Sequence, residues 1–431
     1  MDKEFTPLSS FLSAVLDCRG KTPKKLGSDW SESGYRVLSA NNVTHDGLKE
    51  IGSIRCVDEI TYLKWMKREI ENGDLLLTSE APAGQVMLWD SDEKIVLGQR
   101  LFGLRAKKAT DGPFLKYYLQ SPLGQKAIRW RTSGSTVSGV SAKMFDCIPV
   151  IAKHSPSTRK RIGEVLSNLD RKIALNSRIN KKLEGMAKSL YDYWFVQFDF
   201  PMTAAHAAVM GKPRLASKPY RASGGKMVYN DALKREIPDG WEGGNVLAIA
   251  ELGGGATPSK KAPGFWGGDI PFFTPTDAES EPFCLDTEDH ITQLGLGNSA
   301  TRLYSKGTLF ITARGSVGKA MIISRAMAMS QSCYALCPMT GVGSAFLYFH
   351  TLSLMDYLHA KSSGSIFKSI VTNDINFTPA IVPASEQLAA YNEVAEPIFE
   401  SILTNQEQNQ QLTELRDWLL PMLMNGQISV C

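Results

Sequence analysis

Asn176–Leu190, NSRINKKLEGMAKSL, and Asn405–Leu419, NQEQNQQLTELRDWL, decide how the whole chain is read. The second stretch is the first displaced by 229 positions: Asn176, Asn180, Leu183 and Leu190 recur as Asn405, Asn409, Leu412 and Leu419. Around the first, Ile162, Leu169, Asn176, Leu183 and Leu190 fall every seven residues, with Leu166, Ile173, Asn180, Ala187 and Trp194 four later. That is the apolar seam of a coiled coil. The second repeats it with Tyr391, Ile398, Asn405, Leu412 and Leu419 beside Ala395, Ile402, Asn409, Arg416 and Leu423. Pro397 removes an amide donor inside the run, so a bend or break is expected near it, and Arg416 weakens the apolar seam.

Charge says which helix meets which. Lys153–Lys188 carries ten Lys/Arg against three acids, whereas Ser385–Gly426 carries seven acids and only Arg416. Like helices repel and unlike helices attract, so the two are expected to pair within one chain, with the seam asparagines fixing register. The alternative is two solvated amphipathic helices.

The repeat extends outward. Thr22-Pro23-Lys24 matches Thr257-Pro258-Ser259 at an offset of 235, and Gly73–Thr78 matches Gly307–Thr312 at 234. Gln99 matches Gln331 at 232, and Ser133-Gly134-Ser135 matches Ser363-Gly364-Ser365 at 230. The offset falls steadily, as small deletions in a duplicated module would make it fall. The expected fold class is therefore α+β: two mixed α/β globular domains separated by two long helices forming an antiparallel intramolecular coiled coil, with a pseudo-twofold repeat. The expected boundaries are 1–150, a helix at 151–200, a linker at 201–234, 235–384, and a helix with tail at 385–431. A helix of about 34 residues spans roughly 50 Å, on the order of 14 base pairs of duplex. A rod with a matched head at each end suits two half-sites.

Length argues for two or three domains. A net charge of +4 permits a nucleic-acid partner without demanding one. Seven scattered cysteines suggest a reducing compartment, and no CxxC spacing offers a zinc site. The acid-containing start and the lack of an apolar run of about 20 residues lead to the expectation of a cytoplasmic protein with no membrane partner.

The DNA-contact candidates recur in both copies. The basic turns RGKTPKK and TPSKK supply Lys21, Thr22, Lys24, Lys25, Thr257, Ser259, Lys260 and Lys261 for phosphates. The turns SANN and TPTD supply Asn41, Asn42, Thr274, Thr276 and Asp277 for base edges, since Asn pairs bidentately with adenine. Capped turns would use the same residue types. Thr78, Gln99, Arg100, Arg314, Lys319 and Gln331 sit in or beside the repeated strand motifs. The donor-rich loops SGSTVSG and SSGSIFKS add Ser135, Thr136, Ser365 and Lys368, with Lys143 and Asn373 following them. GSVGKA resembles the end of a phosphate-binding loop, but Ala313 and Ala320 stand where that motif needs Gly and Ser/Thr. No catalytic, metal or cofactor constellation is read; a coiled-coil scaffold and a stand-alone DNA-modifying enzyme remain as alternatives.

The helical segments LDRKIALNSRINKKLEGMAKSLYDYWFVQFDFP and LTELRDWLLPMLMNGQI, with RVLSANNV, FWGGDIPFFTPTD, GDLLLTSEAPAG and GTLFITARGSVG, resemble the specificity subunit of type I restriction–modification systems. The resemblance implies two target-recognition domains, each reading one half of a split double-stranded DNA site. It implies that the helices, through Leu169, Ile173, Asn176, Asn180, Leu183, Leu190, Ile398, Ile402, Asn405, Asn409, Leu412 and Leu419, space the heads and dock two methyltransferase subunits. Restriction subunits join the complex. S-adenosylmethionine, ATP and Mg²⁺ are implied on those partners and none on this chain. ANNV differs from TPTD, so the half-sites are expected to differ.

Overall fold

A computed structural model describes residues 5–130, 139–202, 204–361 and 369–430 of the chain. The chain forms two compact units, Met1–Ala174 with Gln410–Cys431, and Leu175–Asn409. The division differs from one drawn at the globular segments, because each long helix contributes residues to both units.

In unit 1, Leu12–Asp17, Leu101–Ala106, Leu75–Thr78 and Val86–Leu88 form an antiparallel sheet in that order. Side chains alternate across a strand, and both faces are covered here. Leu75 and Leu77 pack with Phe114, Leu115, Ile162, Leu166, Leu420 and Leu423, while Leu76 joins Trp65, Val96 and Leu97 on the other side. That explains why GDLLLT is continuously apolar rather than alternating. Tyr35–Leu38 lies antiparallel to Cys56–Val57 and parallel to Val96–Leu97. Phe5–Pro7 pairs with Pro149–Ile151.

Unit 2 repeats the plan. Ala250–Gly254, Cys333–Pro338, Leu309–Thr312 and Ala320–Ile323 follow the same order, and Phe283–Cys284 adds a parallel edge strand. Leu309 and Ile311 face a core with Phe346, Tyr391 and Phe399, and Phe310 faces the opposite one. Trp266–Phe273 lies antiparallel to His290–Ile291 and parallel to Ala328–Met329. Glu242–Gly244 pairs with Ala380–Val382.

The long helices are Pro156–Tyr191 (36 residues), followed by a π-helical turn at Asp192–Val196, and Ser385–Met424 (40 residues). Within each unit they run antiparallel. In unit 1 the His154 ring lies 3.0 Å from the Met424 carbonyl, while Arg416 bonds Asp170 at 3.0 Å. In unit 2 Tyr391 Oη donates to the Ala187 carbonyl (3.3 Å), and Asn405 Nδ2 donates to Asn180 Oδ1 (2.8 Å). The seam asparagines are thus bonded across the helix pair. Asn180 Nδ2 also donates to the Ile402 carbonyl (3.2 Å), and Asn409 Nδ2 donates to Ser177 Oγ (3.1 Å).

Three sequence expectations need correction. Pro397 does not break its helix, which continues to Met424. Pro397 is exposed, so the carbonyl it leaves without an amide partner is solvated and the cost falls. Arg416 is not a flaw in the seam either; it closes an ion cluster described below. The 201–234 stretch, read as a linker, also holds regular structure. Asp199–Pro201 pairs with Pro219–Arg221, Ala204–Val209 is helical, and Met227–Asn230 forms a hairpin with Arg235–Pro238. Phe198, Phe200 and Ala222 anchor it by packing with Trp241 in the core of unit 2.

Candidate nucleic-acid interface

The turns that follow the apolar runs are the same device in both units. In unit 1, Ser39 N and Oγ both donate to Asn42 Oδ1, at 3.0 and 2.9 Å. In unit 2, Thr274 N and Oγ1 both donate to Asp277 Oδ2, at 2.7 Å each. Asn42 is buried, so the turn holds it and the exposed tip is Asn41. Asp277 is tied twice, since its Oδ1 also accepts from Glu288 N (3.0 Å), which leaves Thr276 as the exposed tip. In both, the side chain three residues on reaches back to the first amide of the turn, as in a helix capping box.

Unit 1 gathers its candidates around one cavity of about 600 Å³. Lys21, Thr22, Lys24, Asn41, Asn42, Gln99 and Arg100 all line it; Lys25, Thr78 and Lys143 do not. The charges are not equally free. Lys21 Nζ donates to the Trp65 carbonyl and Lys25 Nζ to the Gly20 carbonyl (2.8 Å). Lys24 is exposed. Gln99 and Arg100 are exposed on the turn between two strands, where Arg100 takes a left-handed φ of 62° and pairs with Glu80 at 3.2 Å. A non-glycine residue in that region costs on the order of 1 kcal/mol, and such strain concentrates at functional positions.

Unit 2 distributes its candidates differently. The cavity beside its Trp266, of about 540 Å³, is lined by Trp266, Gly267, Gly268, Asp269, Glu288, Asp289, His290 and Arg325, and none of the candidates lines it. Lys260 lies 5.9 Å from the Trp266 ring centre, and Ser259 lends its carbonyl to Trp266 Nε1 (3.2 Å). Thr257 is half-buried, and Lys261, Arg314, Gln331 and Asn373 are exposed. Lys319 is exposed, yet its Nζ donates to the Ala278 carbonyl (2.6 Å).

Thr78 and its copy Thr312 are buried. Each hydroxyl closes the loop that follows it. Thr78 Oγ1 donates to the Pro82 carbonyl (2.6 Å) and accepts from Gln85 N (2.9 Å). Thr312 Oγ1 donates to the Ser316 carbonyl and accepts from Lys319 N (3.0 Å). Their recurrence is structural. Lys143 is exposed in the short helix Ala142–Asp146. Ser135, Thr136, Ser365 and Lys368 lie outside the described residues.

Reading of the chain alone missed Trp30 and Arg55, which line the unit 1 cavity with the Arg55 guanidinium 3.7 Å from the Trp30 ring centre. One signal was available: Trp30 recurs as Trp266 at an offset of 236, beside the repeated basic turn.

The helices carry their own chemistry. In unit 1, Asp170 on the first long helix accepts from Lys116 Nζ, Tyr117 Oη and Arg416 Nη1. Burial pushes the Asp170 carboxyl up, but Lys116, Tyr117 and Arg416 more than offset it and hold it below the usual carboxylate range. In unit 2, burial pushes the Glu184 carboxyl up although Tyr348 Oη donates to it (3.3 Å).

A duplicated unit whose exposed turns carry lysine, asparagine, threonine and glutamine, set beside paired helices, fits the class of DNA sequence-recognition subunits. The chain belongs to the type I restriction modification DNA specificity domain family, whose model matches residues 7–185 and 238–414. It is similar to the type I restriction enzyme HindI specificity subunit of Haemophilus influenzae, 26% identical over 408 residues, covering 84% of this chain and 88% of that one. It is also similar to the MjaIX specificity subunit of Methanocaldococcus jannaschii, 24% identical over 413 residues and covering 95% and 86%. Its fold is shared with the crystal structure of the type I restriction–modification S subunit from M. genitalium, at a TM-score of 0.59 and 14% identity over 98% of this chain and 97% of that one.

Proposed function

We propose that this chain recognises a bipartite, asymmetric duplex site with an unread spacer of fixed length. One observation carries the reading: two units of one topology present different residues at the same turns, Asn41 in one and Thr276 in the other. Equal scaffolds with unlike tips suit half-sites of unlike sequence. The helices dock two methyltransferase subunits. Met186 in unit 2 and its repeat Leu415 in unit 1 are exposed apolar side chains at matched positions, as two like partners require. Restriction subunits join through that complex. S-adenosylmethionine, ATP and Mg²⁺ act on those partners, in the cytoplasm, and this chain contributes recognition rather than catalysis. No described helix is long and apolar enough to cross a membrane.

The test is enrichment of a random duplex library by the chain co-expressed with a methyltransferase subunit. Two short unlike blocks separated by unread base pairs are expected. A single continuous motif sinks the two-head reading, and no enrichment favours a protein-binding scaffold.

A further inference from the structure

Arg55 is placed by backbone register. Ser31 N donates to the Cys56 carbonyl and Val37 N to the Arg55 carbonyl, both at 2.9 Å. The Ser31–Cys56 bridge sets Trp30 beside Arg55, and the guanidinium carbon lies over the ring, 3.7 Å from its centre. Among the described residues no carboxylate or carbonyl holds the Arg55 side chain, which is exposed on the cavity wall with Asn41 and Gln99. A guanidinium held over a ring by its face can keep its N–H donors for a partner and loses less freedom when they bond.

The counterpart in unit 2 has the opposite charge. Arg36 pairs with Cys56 as Pro271 pairs with His290, so Arg55 corresponds to Asp289. Asp289 is also exposed on a cavity wall with a tryptophan, Trp266. A phosphate contact built into the shared scaffold would need a cation in both units, and an acid would repel it. Base edges accept either sign: guanine O6 and N7 take the paired donors of arginine, and cytosine N4 donates to a carboxylate.

We infer that Arg55, held on Trp30, is a specificity-determining residue of unit 1 that reads a guanine through O6 and N7. The inference rests on the bipartite reading above. Its test is the same library enrichment, with the methyltransferase subunit present, for the wild type, R55A and R55K. With R55A, one position of one block loses its guanine preference by about tenfold or more, while the other block is unchanged. R55K keeps the charge but not the fork, and loses the same preference. Unchanged blocks with unchanged affinity overturn the inference. So does a uniform loss across all sequences with a shallower salt dependence, which marks a phosphate contact. If R55A erases its whole block, R55K decides: a block with its guanine intact overturns the inference, and a block lacking only the guanine supports it. A wild type without two blocks fails the bipartite reading itself and takes the inference with it.

Discussion

The two units solve one packing problem with different chemistry. Each lays a short head helix on the two long helices. In unit 1 that helix reads GPFLKYYLQ (Gly112–Gln120) and in unit 2 the matching stretch reads SAFLYFHTL from Ser344. Phe114-Leu115 and Phe346-Leu347 are common to both and buried in both. The next residue diverges. Lys116 meets Asp170 and Arg416 in an ion cluster, whereas Tyr348 meets Phe399 at a ring separation of 5.7 Å. Asp170 and Phe399 are the same position of the repeat, as are Arg416 and the fully buried Ala187. A duplicated backbone therefore tolerates either charge or rings at its joint, provided that all members of the set change together. Partial exchange leaves a buried ion unpaired or a cavity unfilled.

The strongest way to break this comparison is single truncation. Phe399→Ala is expected to cost about 4 kcal/mol, since Tyr348, Phe349 and Phe283 all pack on that ring. Arg416→Ala is expected to cost about 3 kcal/mol, near the low end for a buried pair because the side chain is 19% exposed. The combined variant K116Y/Y117F/D170F/R416A carries the residues of unit 2, including the loss of the Tyr117 hydroxyl that bonds Asp170, and should recover to within about 1 kcal/mol of the wild type. Urea denaturation reads all three. A combined variant worse than R416A would mean the joints are not interchangeable.

Titration separates the units next. Burial pushes the His350 ring down to about 4, beneath the Tyr191 hydroxyl at 3.2 Å. Unit 1 has Tyr118 at the matching position. The unfolded chain binds the His350 proton near pH 6.5 and the folded chain only near 4, so its stabilising contribution is complete above pH 6.5 and lost as pH falls towards 4. About 2 kcal/mol should disappear between pH 7 and 5. Thermal melts of the wild type and His350→Phe should show a gap that narrows across that window. A constant gap would mean that His350 is not neutral in the fold.

The seam gives a smaller effect. Replacing Asn180 and Asn405 together with leucine removes a part-buried amide pair 2.8 Å apart. The seam should gain about 1 kcal/mol and lose register, so light scattering should find mixed oligomers. A monodisperse, less stable product would mean that the pair serves the polar network alone. The smallest expected effect is at the surface of unit 2. The double variant K260A/K261A should weaken binding to every sequence alike and flatten the salt slope by about 2. Lost selectivity in one block would make these lysines base readers.

The repeat, the two long helices and their pairing were legible in the chain because a heptad seam is local: each helix writes its own period whatever it packs on. Opposite net charges then selected the partner. The α+β architecture followed from the recurrence of GDLLLT as GTLFIT with spaced turns. Division of labour within the site was not legible. Asn41 and Asn42 are adjacent and alike, yet strand geometry buries one in a turn and exposes the other. Lys21 and Lys319 read as free cations until backbone carbonyls from distant segments occupy them. Arg55 and Trp30 are 25 positions apart and meet only because two strands pair. Arg416 looked like a defect in a helix because its partner, Asp170, lies 246 residues away. The sequence by itself determined which elements form and which of them belong together. Tertiary structure alone decided which polar groups remain unsatisfied and so available to a partner, because hydrogen-bond satisfaction is a property of neighbours in space and carries no period along the chain.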